Sequence, residues 1–312
     1  MGDVDLFRAS VRDPARVGGT HIGGRAPLVR SRFLPPPARF EGCFTSFYHL
    51  DLDAGEGGTV EDQLQPEWGN IRFFAGALPF AEIGASRVEA CRFTATGPSS
   101  RPCRFRLGTS RMWGVGFMPL GWARFIEAEA QHLANVVCDG ERHPAFARFA
   151  PLAEILCDPQ ASLEDQHAAI LEAMDRLMRP NRDEPRIMRV HAALVAGECA
   201  TVGDLADAGG MSIRTLERVC TRYFGFSPKL LMRRQRFMRS LAAFMLRDGS
   251  RWSEAIDGHY HDQAQFSREF REFMAMSPRE YAALDHPILS AFVRARARAW
   301  GSAAQTLDRP AR

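Results

Sequence analysis

The sequence predicts an α+β multidomain protein: a β-barrel-like or sandwich N-terminal domain with a helical extension, then an all-α C-terminal domain. Three observations predict it. Short apolar runs broken by Gly and Pro fill residues 40–117, helical spacing takes over after Pro119, and the pattern of residues 218–229 returns fifty positions later at 268–279.

In the first domain the runs at 43–50, 71–74, 87–94, 103–107 and 112–117 have the length of strands. Gly55-Glu56-Gly57-Gly58, Gly69-Asn70, Gly97-Pro98 and Gly108-Thr109 supply turns between them. That spacing argues for a sandwich or barrel. Residues 1–30 are rich in Gly, Arg and Asp without periodicity and are expected as a flexible arm, and Pro35-Pro36-Pro37 opens the domain. Residues 121–134 and 145–156 have helical spacing. Ser162, followed by Glu164 and Asp165, starts a longer helix that runs through Leu163, Ile170, Leu171, Met174 and Leu177 to Met178. That helix is expected on its own barrel or against its counterpart in a homodimer. The polar stretch 179–185, with Pro180 and Pro185, ends the domain. The expected organisation is an arm over 1–30, a first domain over 31–180 (β-rich to about 118, helical over 119–180), a second over 181–285, and a basic tail over 286–312.

Net charge is +3 but unevenly spread. Residues 181–312 hold 21 Arg and Lys against 15 Asp and Glu, leaving residues 1–180 net acidic. A basic C-terminal part suits a polyanion. Charged content of 25 % and apolar content of 46 % are those of a soluble globular protein, and no stretch of 18 apolar residues could span a membrane. Residues 1–20 have no apolar segment of the secretory kind, so a cytoplasmic location is expected. The seven cysteines are scattered without CxxC spacing, which argues against a disulfide framework or a thiolate zinc site; Cys220 falls at an apolar helix position.

Each copy of the repeat reads as helix, tight turn, helix. In the first, Thr201 caps a helix through Ala208, Gly209-Gly210 turns the chain, and Ser212 caps a second helix to about Tyr223. Ile213, Leu216, Val219, Cys220 and Tyr223 form the stripe expected to pack inward, leaving Arg214, Thr215, Glu217, Arg218, Thr221 and Arg222 outside. In the second copy Asp262 caps, with Gln265 placed as its capping-box partner. Phe266, Phe270 and Phe273 point inward; Gln263, Gln265, Ser267, Arg268 and Arg271 remain outside. Such a layout presents a helix N-terminus to the major groove of duplex DNA, where Arg pairs with guanine, Gln with adenine, and the remaining cations hold phosphates. Between the copies, Ser227 and Pro228 open a segment of about twenty residues without a breaker. As a helix it spans roughly 28–30 Å, close to the one-turn separation of about 34 Å between major-groove faces. Arg233, Arg234, Arg236 and Arg239 lie along it.

These residues resemble the AraC/XylS family of transcription regulators over about residues 185–281. The first copy matches at Leu205-Ala206, Gly210-Met211-Ser212, Arg214-Thr215-Leu216, Arg218 and Phe224-Gly225-Phe226-Ser227-Pro228. The second matches at Asp262-Gln263, Phe266-Ser267-Arg268-Glu269-Phe270-Arg271, Ser277-Pro278 and Tyr281. The resemblance implies two helix-turn-helix units joined by a long helix, promoter binding in bacteria, RNA polymerase as a partner, and an N-terminal domain that senses a small-molecule effector or dimerises. Ser212, Arg214, Thr215, Arg218, Arg222, Asp262, Gln263, Gln265, Ser267, Arg268 and Arg271 are the expected DNA-binding residues. The pattern usually has Gly where His259 and Ala275 stand; a positive φ at either would strain the second unit.

No GxSxG, P-loop or HExxH occurs, and His49 is the only histidine within residues 40–120, so neither a catalytic site nor a cofactor is expected. The alternatives are an architectural DNA binder without an effector and, less favoured, a barrel enzyme with a helical accessory. His259-Tyr260-His261 suits a surface or phosphate-contact role better than a metal. Gly114-Val115-Gly116 reads as strand flexibility. The N-terminal aromatics, among them Phe44, Phe47, Phe73, Phe74, Phe93, Phe105 and Trp113, could form core or line an apolar pocket. Arg294, Arg296, Arg298 and Trp300 place the tail either as a basic helix on DNA or as a solvated end.

Overall fold

The computed structural model describes residues 26–246 and 252–310. Its N-terminal part is a sandwich of two antiparallel sheets. Six strands are ordered β1-β2-β9-β4-β7-β10: Leu28–Leu34, Phe44–Asp53, Ser110–Phe117, Asn70–Gly76, Phe93–Thr96 and Val137–Asp139. Four more are ordered β3-β8-β5-β6: Thr59–Leu64, Cys103–Gly108, Phe80–Ile83 and Ser86–Glu89. Most of the arm lies outside the described residues, but its last three positions begin β1, whose Leu28 pairs with Asp53 of β2. The run at 87–94 is not one strand. It divides between β6 and β7, on different sheets, with Ala90 at φ +56° turning the chain between them.

Alternation gives the larger sheet two distinct faces. Ile71, Phe73, Phe93, Trp113 and Val115 join a core with the helices, whereas Tyr48, Leu50, Phe74 and Met112 face the second sheet. Gly114 and Gly116 on β9 serve packing rather than flexibility. A Cβ at Gly114 would lie 2.1 Å from the Tyr48 ring, and one at Gly116 would lie 2.3 Å from Thr45 Oγ1.

Two expected helices are interrupted. α1 (Pro119–Phe125) stops where the Trp122 indole donates to the Ala128 carbonyl at 2.8 Å, and a 3-10 turn follows at Ala130–Leu133. In a continuous helix the side chain would lean toward the N-terminus, out of reach of that oxygen. Residues 145–156 form a 3-10 turn, Ala147–Phe149, then α2 (Leu152–Leu156) after Pro151. α3 (Leu163–Leu177) begins as expected, with Ser162 accepting from the Asp165 amide. It packs on its own sheet, where Ile170 and Met174 are buried and Gln166 accepts from the Trp113 indole at 2.6 Å.

The helical part comprises α4 (Glu184–Ala196), α5 (Val202–Gly209), α6 (Ile213–Val219), α7 (Pro228–Leu246), α8 (Trp252–Ala255), α9 (Gln263–Met274), α10 (Pro278–Ala282) and α11 (Pro287–Trp300). One hydrophobic core runs from Phe44 and Phe117 through Ile187 and Leu194 to Leu205, Leu216 and Val219, so the first half of this part shares the core of the sheet. Phe237, Leu241, Phe266, Phe270 and Phe273 form a separate core. The tail is not a solvated end, although Arg294 and Arg298 on its outer face are exposed. α11 lies across β1 and β3 with Ile288, Leu289 and Val293 buried, because its alanines and apolar residues complete the sandwich.

Candidate nucleic-acid interface

α5 and α6 make the first helix-turn-helix unit. Thr201 Oγ1 accepts from the Asp204 amide, and the Asp204 carboxylate accepts from Thr201 N at 2.9 Å, a reciprocal cap. Gly210 ends α5 at φ +64°, a left-handed turn that Gly makes without Cβ strain. Ser212 then accepts from the Thr215 amide at 3.3 Å and opens α6, which widens into a π-type turn over Cys220–Phe224. Leu216, Val219, Cys220 and Tyr223 are buried as expected, and Tyr223 donates to Asp183 at 3.0 Å, tying this end to α4. Ile213 is the exception: it is 49 % exposed. It projects from the first turn, beyond the partners that bury the rest of the stripe.

On the outer face Ser212, Arg214, Arg218 and Arg222 are exposed and Thr215 is half-buried. The Ser212 hydroxyl is occupied by its cap. Arg222 has a partner within the protein, Glu129 at 3.7 Å. Arg214 and Arg218 are the cleanest candidates on this helix.

The second unit has a short first helix, α8, and a recognition helix, α9. Asp262 accepts from Gln265 N at 2.6 Å. Gln265 reaches back one residue further than the capping-box expectation: its side-chain oxygen accepts from His261 N at 3.1 Å rather than from the cap residue. Asp262, Gln263, Arg268 and Arg271 are exposed, and Gln265 and Ser267 half-buried, while Phe266, Phe270 and Phe273 are fully interior. Ala275 does sit at φ +56°, so this unit carries strain that glycine would avoid; His259 is not in that region.

The arginines of α7 are already engaged. Arg233 donates to Glu269 at 3.0 Å and pairs with Glu272; Arg236 donates to Glu269 at 2.6 Å; Arg239 pairs with Asp257 at 2.6 Å. Glu269 also accepts from the Tyr260 hydroxyl at 2.8 Å. These cations fasten the second unit to the joining helix. Arg234 points the other way and is wholly buried, 3.9 Å above the Trp68 ring. Sequence position alone had not distinguished these roles, because the partners Glu269, Asp257 and Trp68 are remote in the chain.

Two capped recognition helices with buried apolar faces and exposed Arg and Gln flank a helix of about 28 Å. Residues 205–283 match the family model described as a helix-turn-helix domain. With the internal repeat, that match makes the C-terminal part an AraC-type helix-turn-helix domain, and the chain a DNA-binding transcription regulator. Among solved structures it is similar to ToxT from Vibrio cholerae, at 9 % identity over 72 % of this chain and 96 % of that one, with a TM-score of 0.42. It is also similar to the AraC-like transcriptional activator CuxR, at 13 % identity over 68 % and 86 %, with a TM-score of 0.28. A cupin-like protein from Thermotoga maritima aligns at 13 % identity over 34 % of this chain and 80 % of its own, with a TM-score of 0.21. No curated protein matches the chain.

Proposed function

We propose that the chain is a one-component cytoplasmic regulator whose two units read successive major grooves of a promoter, and whose sandwich senses a small molecule. In this reading Arg214, Thr215 and Arg218 of α6, with Gln263, Ser267 and Arg268 of α9, approach base edges. Arg222 and Arg271 serve phosphates, and Ser212, Asp262 and Gln265 hold the helix N-termini in shape. Ile213 offers an apolar surface suited to a thymine methyl group. The observation that carries this reading is the sidedness of both helices: on each, the aromatic or aliphatic stripe, Ile213 excepted, is buried while the arginines and Gln263 on the opposite side face solvent. RNA polymerase and a second copy of the chain, implied by the family resemblance, complete the proposed partners; no enzymatic step belongs to this reading.

Selection of bound sequences from a random duplex pool tests it. A preferred site long enough to engage two grooves is expected. Arg218→Ala should relax the preference at one position by the equivalent of about 1–3 kcal/mol. Selection of the same site with the same affinity by parent and variant would overturn the assignment of α6.

A further inference from the structure

The space between the two sheets is closed by the chain's own C-terminal segment. Leu50, Phe74 and Met112 of one sheet face Leu64, Ala81, Phe105 and Leu107 of the other around a cavity of about 50 Å³. Ile288 and Phe292 of α11 complete its wall. Phe292 packs against Tyr48 and Phe33 with ring centres 5.6 and 5.4 Å away.

α11 is held in this place by groups from the sandwich. The carboxylate of Asp62, on β3, accepts from the backbone amides of Ile288 and Leu289 at 2.9 and 2.8 Å, capping a helix 226 residues later in the chain. The same carboxylate contacts His286 Nδ1 at 3.0 Å. Further on, Arg296 donates to Ser46 at 3.0 Å, and Gln305 exchanges hydrogen bonds with Asn70 at 3.0 and 3.1 Å. The groove for Gln305 depends on Gly116, whose Cβ, were there one, would lie 2.8 Å from the Gln305 amide nitrogen.

We propose that this inter-sheet space is a binding site for a small, neutral, largely apolar molecule, and that α11 is its plug: the ligand takes the places of Phe292 and Ile288 and loosens the helix that carries them. The inference rests on the reading of the sandwich as the sensing half. Volume is the first argument. About 50 Å³ holds one or two waters, whereas ligand pockets run to about 300 Å³ or more, so a ligand enters only as the plug leaves. Charge is the second. Among the described residues of the wall the one cation, Arg72, is already met by Glu67 at 2.5 Å, and an added charge would be buried without a counter-ion. The third is connection. Only residues 283–286 separate α10 from α11, and the Tyr281 ring lies 4.4 Å from the His286 ring. Displacing α11 therefore reaches the second reading unit directly.

The test uses the full-length protein and the neutral fluorescent probe N-phenyl-1-naphthylamine. Titration should deprotect the Ile288 and Leu289 amides to hydrogen exchange in the parent. Phe292→Ala, which vacates the ring's place, should bind the probe about tenfold tighter. Asp62→Asn, which weakens the cap without touching the apolar lining, should shift affinity the same way, and it serves if Phe292→Ala does not fold. Unchanged affinity in the folded variants, or probe binding that leaves the two amides protected, would overturn the proposal. Selection of a DNA site by the ligand-free parent is scored separately, so failure of the plug and failure of the DNA-reading assignment leave different marks.

Discussion

Among the described residues Arg234 is a buried cation without a counter-ion, and replacing it with methionine should make the protein more stable. Its side chain is fully enclosed on α7, donates once, to the Ser99 carbonyl at 2.9 Å, and lies over the Trp68 ring at 3.9 Å. Its Nε and Nη2 have no hydrogen-bond partner among the described residues. Burial pushes its pKa down from 12.5 to about 9. At about 1.4 kcal/mol per unit, keeping the charge costs roughly 5 kcal/mol at neutral pH. Against that stand a desolvated cation–π contact of about 2 kcal/mol and one charged hydrogen bond of about 2 kcal/mol. The balance leaves the guanidinium about 1 kcal/mol unfavourable relative to an apolar chain of similar length, in line with the gain of about 1–4 kcal/mol when buried ionic groups are replaced by well-packed apolar ones. Arg234→Met is therefore expected to raise the unfolding free energy in urea by about 1 kcal/mol. Arg234→Ala, which loses the packing as well, should lower it. A loss of more than about 1 kcal/mol in the methionine variant would mean that the cation is satisfied where it lies, refuting the reasoning.

Three further outcomes follow from burial and backbone geometry. Ile213→Ala should change stability by less than about 0.5 kcal/mol, whereas Leu216→Ala, three residues on and fully buried, should cost about 2–5 kcal/mol in the same urea titration. His191 is buried between Trp68 and Phe224, and burial lowers its pKa from 6.5 to about 3. The unfolded chain then binds the extra proton first, so stability is complete above pH 6.5 and falls as the pH drops from 6.5 toward 3. The loss should be about 1.4 kcal/mol by pH 5.5, and thermal unfolding of His191→Phe should lack this component. Ala275→Gly should raise the unfolding free energy by about 0.5 kcal/mol, because relief of the left-handed strain exceeds the entropy that glycine adds to the unfolded chain.

Much of the candidate interface was legible in the sequence because it rests on local rules. A hydroxyl or carboxylate accepts from the amide three residues on, so Thr201, Ser212 and Asp262 announce helix starts wherever those helices finally lie. Aromatic spacing at 266, 270 and 273 likewise identifies a buried face before its partner is known. The same spacing misplaced Ile213, because periodicity says which residues share a face and not how far along the helix the covering surface extends. It also joined residues 87–94 into one strand, since an alanine in a left-handed turn leaves no mark in composition. The joining helix was legible as a helix, but the destinations of its four arginines were not.

The sequence by itself determined the order of a sheet-rich part before a helical part, the duplicated helix-turn-helix units and the polarity of their outer faces, because each rests on caps and periodicity within single elements or on their repetition along the chain. Only the tertiary structure decided that Arg234 is entombed against Trp68, that the first unit shares its core with the sheet, and that the basic tail ends as a helix capped by Asp62 over the mouth of the sandwich. Those arrangements join positions 135 to 226 residues apart, and their energies come from burial and charge compensation between surfaces that exist only once the chain has folded.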